Sequence, residues 1–430
     1  MSASITIRNA EVVLPGGVQH TDVVVLEGCI AAIGSGLPDT GETINAAGLT
    51  LLPGVIDPQV HFREPGATHK EDLHSGSMAA AAGGVTAFLD MPNNKPAVIT
   101  RSRMAEKKAR AAEQCVVHYG FFMGATPDNL EELNAVENVC GIKVFMGAST
   151  GDLLVDDPVA LERIFANGTR LIAVHAEDET VMRDNQALLG EVQDIRAHPR
   201  IRDESAALRA TKLATRLSLK HQRRLHVLHL TTEEECDLLR TLPAGHRISA
   251  EVCPQHFTLT APECYERLGT RAQMNPPLRT QRHADALWAA LKDGTLQCIA
   301  TDHAPHSIVE KLCTFDDADF GISVLETGLG SVLSLVHSGK ITLPALVEKL
   351  TAAPARFLLA SSASVDSRLG SLQDGAPADV TVFDPNAKWT VDPTEFASKG
   401  KNTPLVGATL KGRVKLTIAQ GEIAYDEVRE

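Results

Sequence analysis

Side chains with the chemistry of metal ligands follow an apolar stretch near residue 55. The run Leu49-Thr-Leu-Leu-Pro-Gly-Val-Ile56 leads directly into Asp57-Pro-Gln-Val-His-Phe-Arg63. A short apolar run bounded by turn residues predicts a buried strand. His61 then projects from the strand end, with Arg63 on the same side if the chain stays extended. An imidazole beside a guanidinium indicates a metal site next to an anion site, although a surface loop would explain this pair alone equally well.

The segments that must position these side chains alternate between strand and helix. With the first strand, near 51–61, the predicted strands are 85–91, 118–124, 141–147, 171–177, 225–230, 248–254 and 298–303. Segments rich in Ala, Leu and Glu are predicted to be helices: 73–82, 101–113, 129–136, 158–167, 204–220, 232–242, 282–292 and 322–337. Eight strand-then-helix units predict an α/β fold with a closed parallel (β/α)8 TIM-like barrel rather than an open sheet.

Both ends of the chain instead show short alternating segments punctuated by glycine. Examples are Asp22-Val-Val-Val-Leu26 near the start and Val414-Lys-Leu-Thr-Ile418 near the end. Such segments predict short antiparallel strands. We therefore expect one small β-sandwich domain formed by residues 1–53 and 365–430, and a catalytic barrel formed by residues 54–364.

In barrels of this kind the chemistry lies at the carboxyl ends of the strands. Three histidines and one aspartate among those ends suit a divalent transition metal and favour zinc. Satisfied core or surface histidines would explain any one of them, but five separate strand ends make this a poor explanation of the whole set. The residues at the predicted ends are His61, Asn93, Lys143, His175, His229, Asp302, His303 and His306.

Lys143 lies inside the apolar run Gly141-Ile-Lys-Val-Phe-Met146. A lone ammonium is expensive in such surroundings. The lysine either pairs with a carboxylate or loses its proton and reacts with CO₂ to give a carbamate that bridges two metals, a route that burial favours by lowering its pKa. The sequence favours neither.

Seven motifs give the chain a resemblance over nearly its whole length to the class I dihydroorotases of the cyclic amidohydrolase superfamily. The motifs are His61-Phe-Arg-Glu-Pro-Gly66, Met91-Pro-Asn-Asn94, Gly141-Ile-Lys-Val-Phe-Met146, Val174-His-Ala-Glu177, Leu228-His-Leu230, Met274-Asn-Pro-Pro-Leu-Arg279 and Thr301-Asp-His-Ala-Pro-His306. The resemblance implies a cytoplasmic enzyme that cyclises N-carbamoyl-L-aspartate reversibly to L-dihydroorotate in pyrimidine biosynthesis.

The resemblance also implies a binuclear zinc site bridged by a carbamylated Lys143. His175 and His229 would hold one metal, and His61 and Asp302 the other. One position departs from the family pattern His-x-His, because Gln59 stands where the first histidine is usual. An amide oxygen is a harder and weaker zinc ligand than imidazole, so we expect the second metal to be bound more weakly, to be a different metal or to be absent.

For catalysis the resemblance implies that Asp302 moves the proton between the attacking water and the ring nitrogen. Arg63 is suited to bidentate binding of the ring carboxylate, with further donors from Asn93 and His306. The resemblance places Asn275 against the ring. The structural alternatives are a turn-forming Asn93, a loop histidine at 306 and a chain-bending role for Asn275.

Composition limits the partners. The chain has 430 residues and a net charge of −13 with no basic tract, which argues against nucleic acid. Its eight cysteines show no CxxC spacing, which favours buried free thiols. No apolar run approaches membrane-spanning length and no signal peptide is evident, so we expect a cytoplasmic protein. The resemblance implies a homodimer that acts on a small anionic substrate.

Two alternatives remain open at this stage. Another cyclic amidohydrolase, a hydantoinase, dihydropyrimidinase or allantoinase, would share the barrel and ligands, but its substrate would leave the Arg63 cation without a carboxylate. An inactive relative that scaffolds aspartate transcarbamoylase is favoured by Gln59 alone. The arginine-rich segment 190–203 lacks periodicity and is predicted to be a loop near the mouth of the site. Arg196 and Arg202 could contact an anion there, but solvated arginines are favoured.

Overall fold

The computed structural model describes residues 4–149, 153–191, 194–359, 366 and 368–428. The chain begins with the strands β1 Ile5–Leu14, β2 Gly17–Leu26, β3 Cys29–Gly34, β4 Glu42–Asn45 and β5 Thr50–Pro53. Its middle contains β6 Val55–Val60, β7 Val85–Asp90, β8 His118–Gly124, β9 Gly141–Phe145, β10 Ile172–His175, β11 Leu225–Val227, β12 Ile248–Val252 and β13 Cys298–Ile299. It ends with β14 Val380–Thr390, β15 Thr409–Ala419 and β16 Glu422–Asp426.

Helices separate the central strands. The first eight are α1 Leu73–Ala82, α2 Arg101–Gln114, α3 Leu130–Ala135, α4 Pro158–Ala166, α5 Glu179–Leu189, α6 His198–Ile201, α7 Glu204–His221 and α8 Glu233–Arg240. The others are α9 Pro254–Thr258, α10 Glu263–Leu268, α11 Gln281–Asp293, α12 Ile308–Lys311, α13 Leu325–His337, α14 Leu343–Leu350 and α15 Ala352–Pro354. Short 3₁₀ turns span Ile195–Ala197, Gly269–Ala272 and Pro393–Glu395, and a π-helical turn spans Ala355–Leu359.

Strands β6 to β13 pair in chain order, and every pairing between them is parallel. A parallel bridge between Val60 and His303, with the His61 N–H donating to the His303 carbonyl at 2.8 Å, joins the last strand to the first. Helices cover the outer face and side chains fill the interior, so strands such as β7 are buried on both faces. The predicted (β/α)8 barrel is confirmed.

The terminal strands form a second sheet in the order β16-β15-β14-β5-β1-β2-β3, with β4 added beside β1. Its own apolar core includes Ile5, Val12, Leu416 and Ile418, which join the two ends of the chain. The prediction of a terminal β unit is confirmed. The prediction that its strands are all antiparallel is wrong, because β1 pairs in parallel with both β4 and β5.

The domain limits 1–53, 54–364 and 365–430 stay a prediction, and the boundary between residues 364 and 365 lies outside the described residues. In the part of the chain that is described, no helix is both long and apolar enough to cross a membrane.

Candidate metal centre and substrate site

Polar side chains from several strand ends surround one small cleft at the carboxyl end of the barrel. The cleft has a volume of ≈ 20 Å³, enough for about one water molecule or ion. It is lined by Gln59, His61, Lys143, Phe145, Ser149, His175, His229, Asn275, Asp302, Ala304, Phe320 and Gly321. Every residue that the sequence predicts to bind a metal is therefore part of one lining.

His175 and His229 face each other inside this cleft. Nδ1 of His175 lies 3.0 Å from Nε2 of His229, and both residues are buried. Nε2 of His175 lies 2.9 Å from the Glu177 carboxylate, which favours the proton on Nε2 and makes Nδ1 an acceptor that faces Nε2 of His229. Burial and then the neighbouring charge of His175 keep the pKa of His229 well below its ordinary value. A carboxylate behind a neutral imidazole is typical of histidines that bind metals.

Lys143 is fully buried, and its Nζ has no hydrogen-bond partner among the described residues. No described carboxylate lies within ion-pair distance of Nζ, and the ring of Phe145 lies 4.5 Å from it. Burial lowers the pKa of Lys143 to about 7, against the weaker opposing effects of Asp302 and Glu251. The sequence left open whether Lys143 pairs with a carboxylate or becomes a carbamate. The described part of the structure provides no carboxylate partner for Lys143.

Asp302 connects the other predicted ligands. Its Oδ1 lies 3.0 Å from Nε2 of His61 and accepts a 3.0 Å hydrogen bond from Nε2 of Gln59. Nδ1 of His61 lies 2.7 Å from Oδ1 of Asn93. His61 therefore connects the Asp302 carboxylate to the Asn93 amide. Oε1 of Gln59 is buried in the same cleft without a described partner.

Arg63 lies behind the cleft wall rather than in the lining. Its side chain is buried, donates from Nε to the Pro305 carbonyl at 3.3 Å and contacts Nε2 of His306 at 2.9 Å. Burial, and then the charge of Arg63, lowers the pKa of His306 to about 3, so the imidazole is neutral and accepts from the guanidinium. Among the described residues no carboxylate forms an ion pair with Arg63.

The predicted substrate residues divide into two groups. Asn275 reaches the cleft, and both its amide oxygen and its amide nitrogen are buried without a described partner. Asn93 and His306 lie outside the lining. Asn93 contacts His61, and His306 contacts the carbonyl of Phe320, a lining residue, at 2.9 Å.

A second group of possible metal ligands lies on the far side of His306. Ligand atoms of His306, Glu310 and Asp319 come within 4.8 Å of one another. The Lys70 ammonium already lies among them, 2.9 Å from Glu310, 2.6 Å from Asp319 and 3.2 Å from Nδ1 of His306. Since this ammonium supplies the positive charge, the group is an ion-pair network that supports the Arg63 side of the site.

Sequence reasoning assigned no role to Glu177 and placed Arg202 in solvent. The prediction for Arg202 is wrong, because its guanidinium is buried and pairs with Glu177 at 2.6 Å. Although burial opposes it, Arg202 helps to hold the pKa of Glu177 well below its usual value. The sequence contained a signal for Glu177, since it stands two residues after His175 at the end of a predicted strand. Arg196 is exposed as predicted and pairs with Asp194 at 2.5 Å.

Comparisons with known proteins agree with this geometry. A model of the amidohydrolase family matches residues 50–424. The chain is 36% identical to a dihydroorotase of Desulforapulum autotrophicum and 37% identical to one of Syntrophotalea carbinolica, with 98% of this chain and 99% of each relative covered. Among solved structures it resembles the L-hydantoinase (dihydropyrimidinase) from Arthrobacter aurescens, with TM-score 0.92, 27% identity and 99% and 97% of the two chains covered. It also resembles a dihydropyrimidinase from Brevibacillus agri, with TM-score 0.88, 28% identity and 99% and 95% covered.

Proposed function

Since this chain belongs to the amidohydrolase family, we propose that it is a dihydroorotase that interconverts N-carbamoyl-L-aspartate and L-dihydroorotate. The full-length similarity to dihydroorotases supports a cyclic amide substrate with six ring atoms. The choice among cyclic amides depends on one observation, the buried guanidinium of Arg63 with no described carboxylate partner. A buried cation needs a counter-ion, and dihydroorotate carries a ring carboxylate whereas hydantoin and dihydrouracil do not.

The donor set of the cleft fits a divalent metal. The buried Oε1 of Gln59 and the buried Nζ of Lys143 have no described partner, and a cation or its carbamate ligand would satisfy them. The facing ring nitrogens of His175 and His229, 3.0 Å apart, line the same cleft. In this proposal His175 and His229 would hold one zinc and His61 and Asp302 a second, with Gln59 as a weak further ligand, and Lys143, as a carbamate, would complete the ligand set. A bound zinc would activate water at neutral pH and polarise the ring carbonyl.

Asp302 performs the proton transfer in this proposal. Its carboxylate lines the cleft and is oriented by His61 and Gln59, each 3.0 Å from Oδ1. In the hydrolytic direction water adds to the ring carbonyl carbon, Asp302 takes a proton from that water, and the ring nitrogen receives it as the carbon–nitrogen bond breaks. Cyclisation follows the same path in reverse.

The remaining residues hold and orient the ring. Arg63 binds the ring carboxylate, supported by His306, while the partnerless amide of Asn275 binds a ring amide. Asn93 fixes the His61 ring. The cleft, at ≈ 20 Å³, is smaller than the substrate, so we expect the ring to displace part of the wall. Phe320 and Gly321 are lining residues that adjoin His306, the partner of Arg63.

A hydantoinase or dihydropyrimidinase is the second candidate, because the solved structures described above are of that class. Initial rates on dihydroorotate, hydantoin, dihydrouracil and allantoin, measured with zinc-loaded protein, separate the candidates. The proposal requires dihydroorotate to have the highest kcat/KM. Turnover of hydantoin or dihydrouracil without dihydroorotate would refute it, and absence of both zinc and turnover would support the scaffold alternative.

The modification and the assembly need separate measurements. Electron density at Lys143 with anomalous scattering beside it tests the carbamate and the metal count together. An unmodified lysine in zinc-loaded crystals grown with bicarbonate would exclude the bridge. Light scattering after size-exclusion chromatography tests the proposed homodimer, which a mass of 46.0 kDa for the particle would contradict.

A further inference from the structure

His303 follows the catalytic aspartate directly, but its imidazole faces away from the cleft. Nδ1 accepts from the N–H groups of Val324 and Leu325, at 3.2 and 3.4 Å, where helix α13 begins. Because Nδ1 accepts, Nε2 carries the proton, and it lies 3.4 Å from the Glu71 carboxylate. The ring is 1% exposed. Both nitrogens are thus used by neighbours, which leaves no lone pair for a metal.

The main chain of His303 is joined to two site residues, His61 by a hydrogen bond and Asp302 by the peptide bond. The His303 carbonyl accepts from the His61 N–H at 2.8 Å, the hydrogen bond that joins the last barrel strand to the first. Asp302, one residue earlier, has φ +51°, a left-handed conformation that is costly for a residue with a side chain. Such a conformation persists only where the surroundings determine it. Two contacts of His303 constrain it, because the His303 N–H donates to Oγ1 of Thr301 at 3.0 Å and the imidazole is held at the start of helix α13.

Glu71 connects His303 to the terminal sheet. Its carboxylate is fully buried and accepts from the Ser398 hydroxyl and, at 3.2 Å, from the Lys399 N–H. Ser398 and Lys399 belong to the connection between β14 and β15, which leaves the sheet and packs against the barrel. We call residues 396–403 of this connection the strap.

The strap is tightly enclosed where it meets the barrel. The Asn402 carbonyl accepts from the Ser323 N–H at 2.7 Å. At Gly400 a Cβ atom would lie 2.3 Å from Oγ of Ser323 and 2.5 Å from Cβ of Pro305, so no side chain fits there. Ser398, Asn402 and Thr403 are each 0% exposed. These contacts hold the strap in one position against the barrel. Glu71, which contacts both the strap and His303, connects that position to His303.

We propose that His303 is a positioning residue, which, held between helix α13 and the Glu71–Ser398 contact of the strap, sets the main-chain positions of His61 and Asp302. The inference rests on the proposed function only for the roles of those two residues. It gives the terminal sheet a part in catalysis, because one of its connections fixes the geometry of the barrel site without touching substrate.

Three substitutions at His303 separate its two contacts. His303→Asn places an acceptor near Nδ1 for helix α13 but loses the donor to Glu71, His303→Gln keeps a donor near Nε2, and His303→Leu removes both. A misplacement of about 1 Å costs up to about 100-fold in rate, so we expect kcat per bound zinc to fall about 100-fold in His303→Leu and about 10-fold in each amide variant. KM should stay within about 2-fold, since Arg63 and Asn275 are untouched.

Ser398→Ala provides a milder test within the strap and keeps the inference testable if a His303 variant fails to fold. Removal of its hydroxyl should lower kcat about 3- to 10-fold with KM unchanged, since the expected shift of Asp302 is a fraction of 1 Å. Asp379→Asn is the matched control, because Asp379 is also a buried carboxylate, and it accepts from the Gln420 N–H at 3.1 Å and contacts Nε2 of His118 at the amino end of β8, the end of the barrel opposite the cleft. It should lower Tm and leave kcat within about 2-fold.

Crystal structures of Ser398→Ala and His303→Leu provide a measurement that does not depend on activity. We expect the Asp302 carboxylate and the His61 ring to move relative to His175 and His229. Unchanged positions, or kcat within 2-fold in every variant that folds, would overturn the inference. Rates are measured on whichever ring substrate the wild-type protein hydrolyses, so a wrong substrate assignment is seen in the wild type alone. If the wild-type protein hydrolyses none of these substrates, the positions of Asp302 and His61 in the crystal structures of the variants test the inference.

Discussion

Replacement of Arg63 by alanine is the most direct test of the substrate assignment. The guanidinium is buried behind the cleft, already donates to the Pro305 carbonyl and His306, and has no described carboxylate partner. A hydrogen bond to a charged group contributes about 1.5–3 kcal/mol, and the burial of both partners places this pair in the upper part of that range. A loss of about 2–3 kcal/mol corresponds to a rise of roughly 30- to 150-fold in KM for dihydroorotate.

Two comparisons make this measurement specific. Arg63→Lys keeps the charge but loses the planar fork, so it should retain part of the binding and fall between wild type and Arg63→Ala. Arg223→Ala is the matched control, because Arg223 is also a buried arginine but donates to the Arg170 and Asn167 carbonyls beside the amino end of β11. We expect it to lower Tm and leave KM unchanged.

Steady-state kinetics with dihydroorotate, and with hydantoin if it is turned over, give the result. The KM for a ring without a carboxylate should be the same in wild type and Arg63→Ala within about 3-fold, since such a ring has no partner for the guanidinium. A KM for dihydroorotate that rises by less than about 3-fold would refute the carboxylate role. An equal rise in KM for both rings would show that Arg63 maintains the shape of the site and does not bind the substrate carboxylate.

Three further predictions concern the metal centre and its support. Asp302→Asn should lower kcat by about 100-fold or more in zinc-loaded protein, and a near-normal kcat would end the proton-transfer assignment. Gln59→His should raise the zinc content per chain, measured by elemental analysis, because imidazole is the better zinc ligand; equal content would mean that Gln59 suffices. Lys107→Met leaves Asp90 buried without its 2.7 Å partner and should lower the free energy of unfolding by about 3–5 kcal/mol, seen in the urea midpoint. The double change with Asp90→Asn should recover most of that loss, and no recovery would contradict the ion-pair explanation.

The barrel was predictable because its signals are local. The predicted helix 73–82 coincides with α1, where Asp72 caps the first turn and a small apolar face packs on the sheet. The strand β8 also coincides with the predicted range 118–124. Helix α5, by contrast, was not predicted. Its sequence Glu-Thr-Val-Met-Arg-Asp-Asn-Gln-Ala-Leu-Leu has a weak apolar face with Met182 alone buried, so periodicity gave little signal there.

The sequence predicted which side chains meet in the cleft but not the residues that support them. The ligand candidates stand at strand ends, and a parallel barrel brings such ends together whatever the loops do. The role of Arg202 depends on the short turns between 195 and 201, which bring it back to Glu177 of another strand end. The Glu71–Ser398 contact spans 327 positions and involves residues with ordinary local propensities. Pairings of that kind are set by tertiary packing, for which a single sequence carries no periodic signal.

The glutamine at position 59 illustrates how a departure in sequence acquires meaning from its contacts. Its Nε2 donates to Asp302, which determines the orientation of the amide and points Oε1 into the cleft without a described partner. A buried carbonyl left without a partner costs about 1–3 kcal/mol, a cost that a bound cation would relieve. In the proposed site Gln59 would therefore combine two functions that a histidine would perform differently, since it contacts the Asp302 carboxylate and would offer a neutral oxygen to the metal. On this argument Gln59→His gains metal affinity but loses the hydrogen bond to Asp302, so zinc content and kcat should move in opposite directions. A variant that gains both would show that the amide contributes nothing to the placement of Asp302.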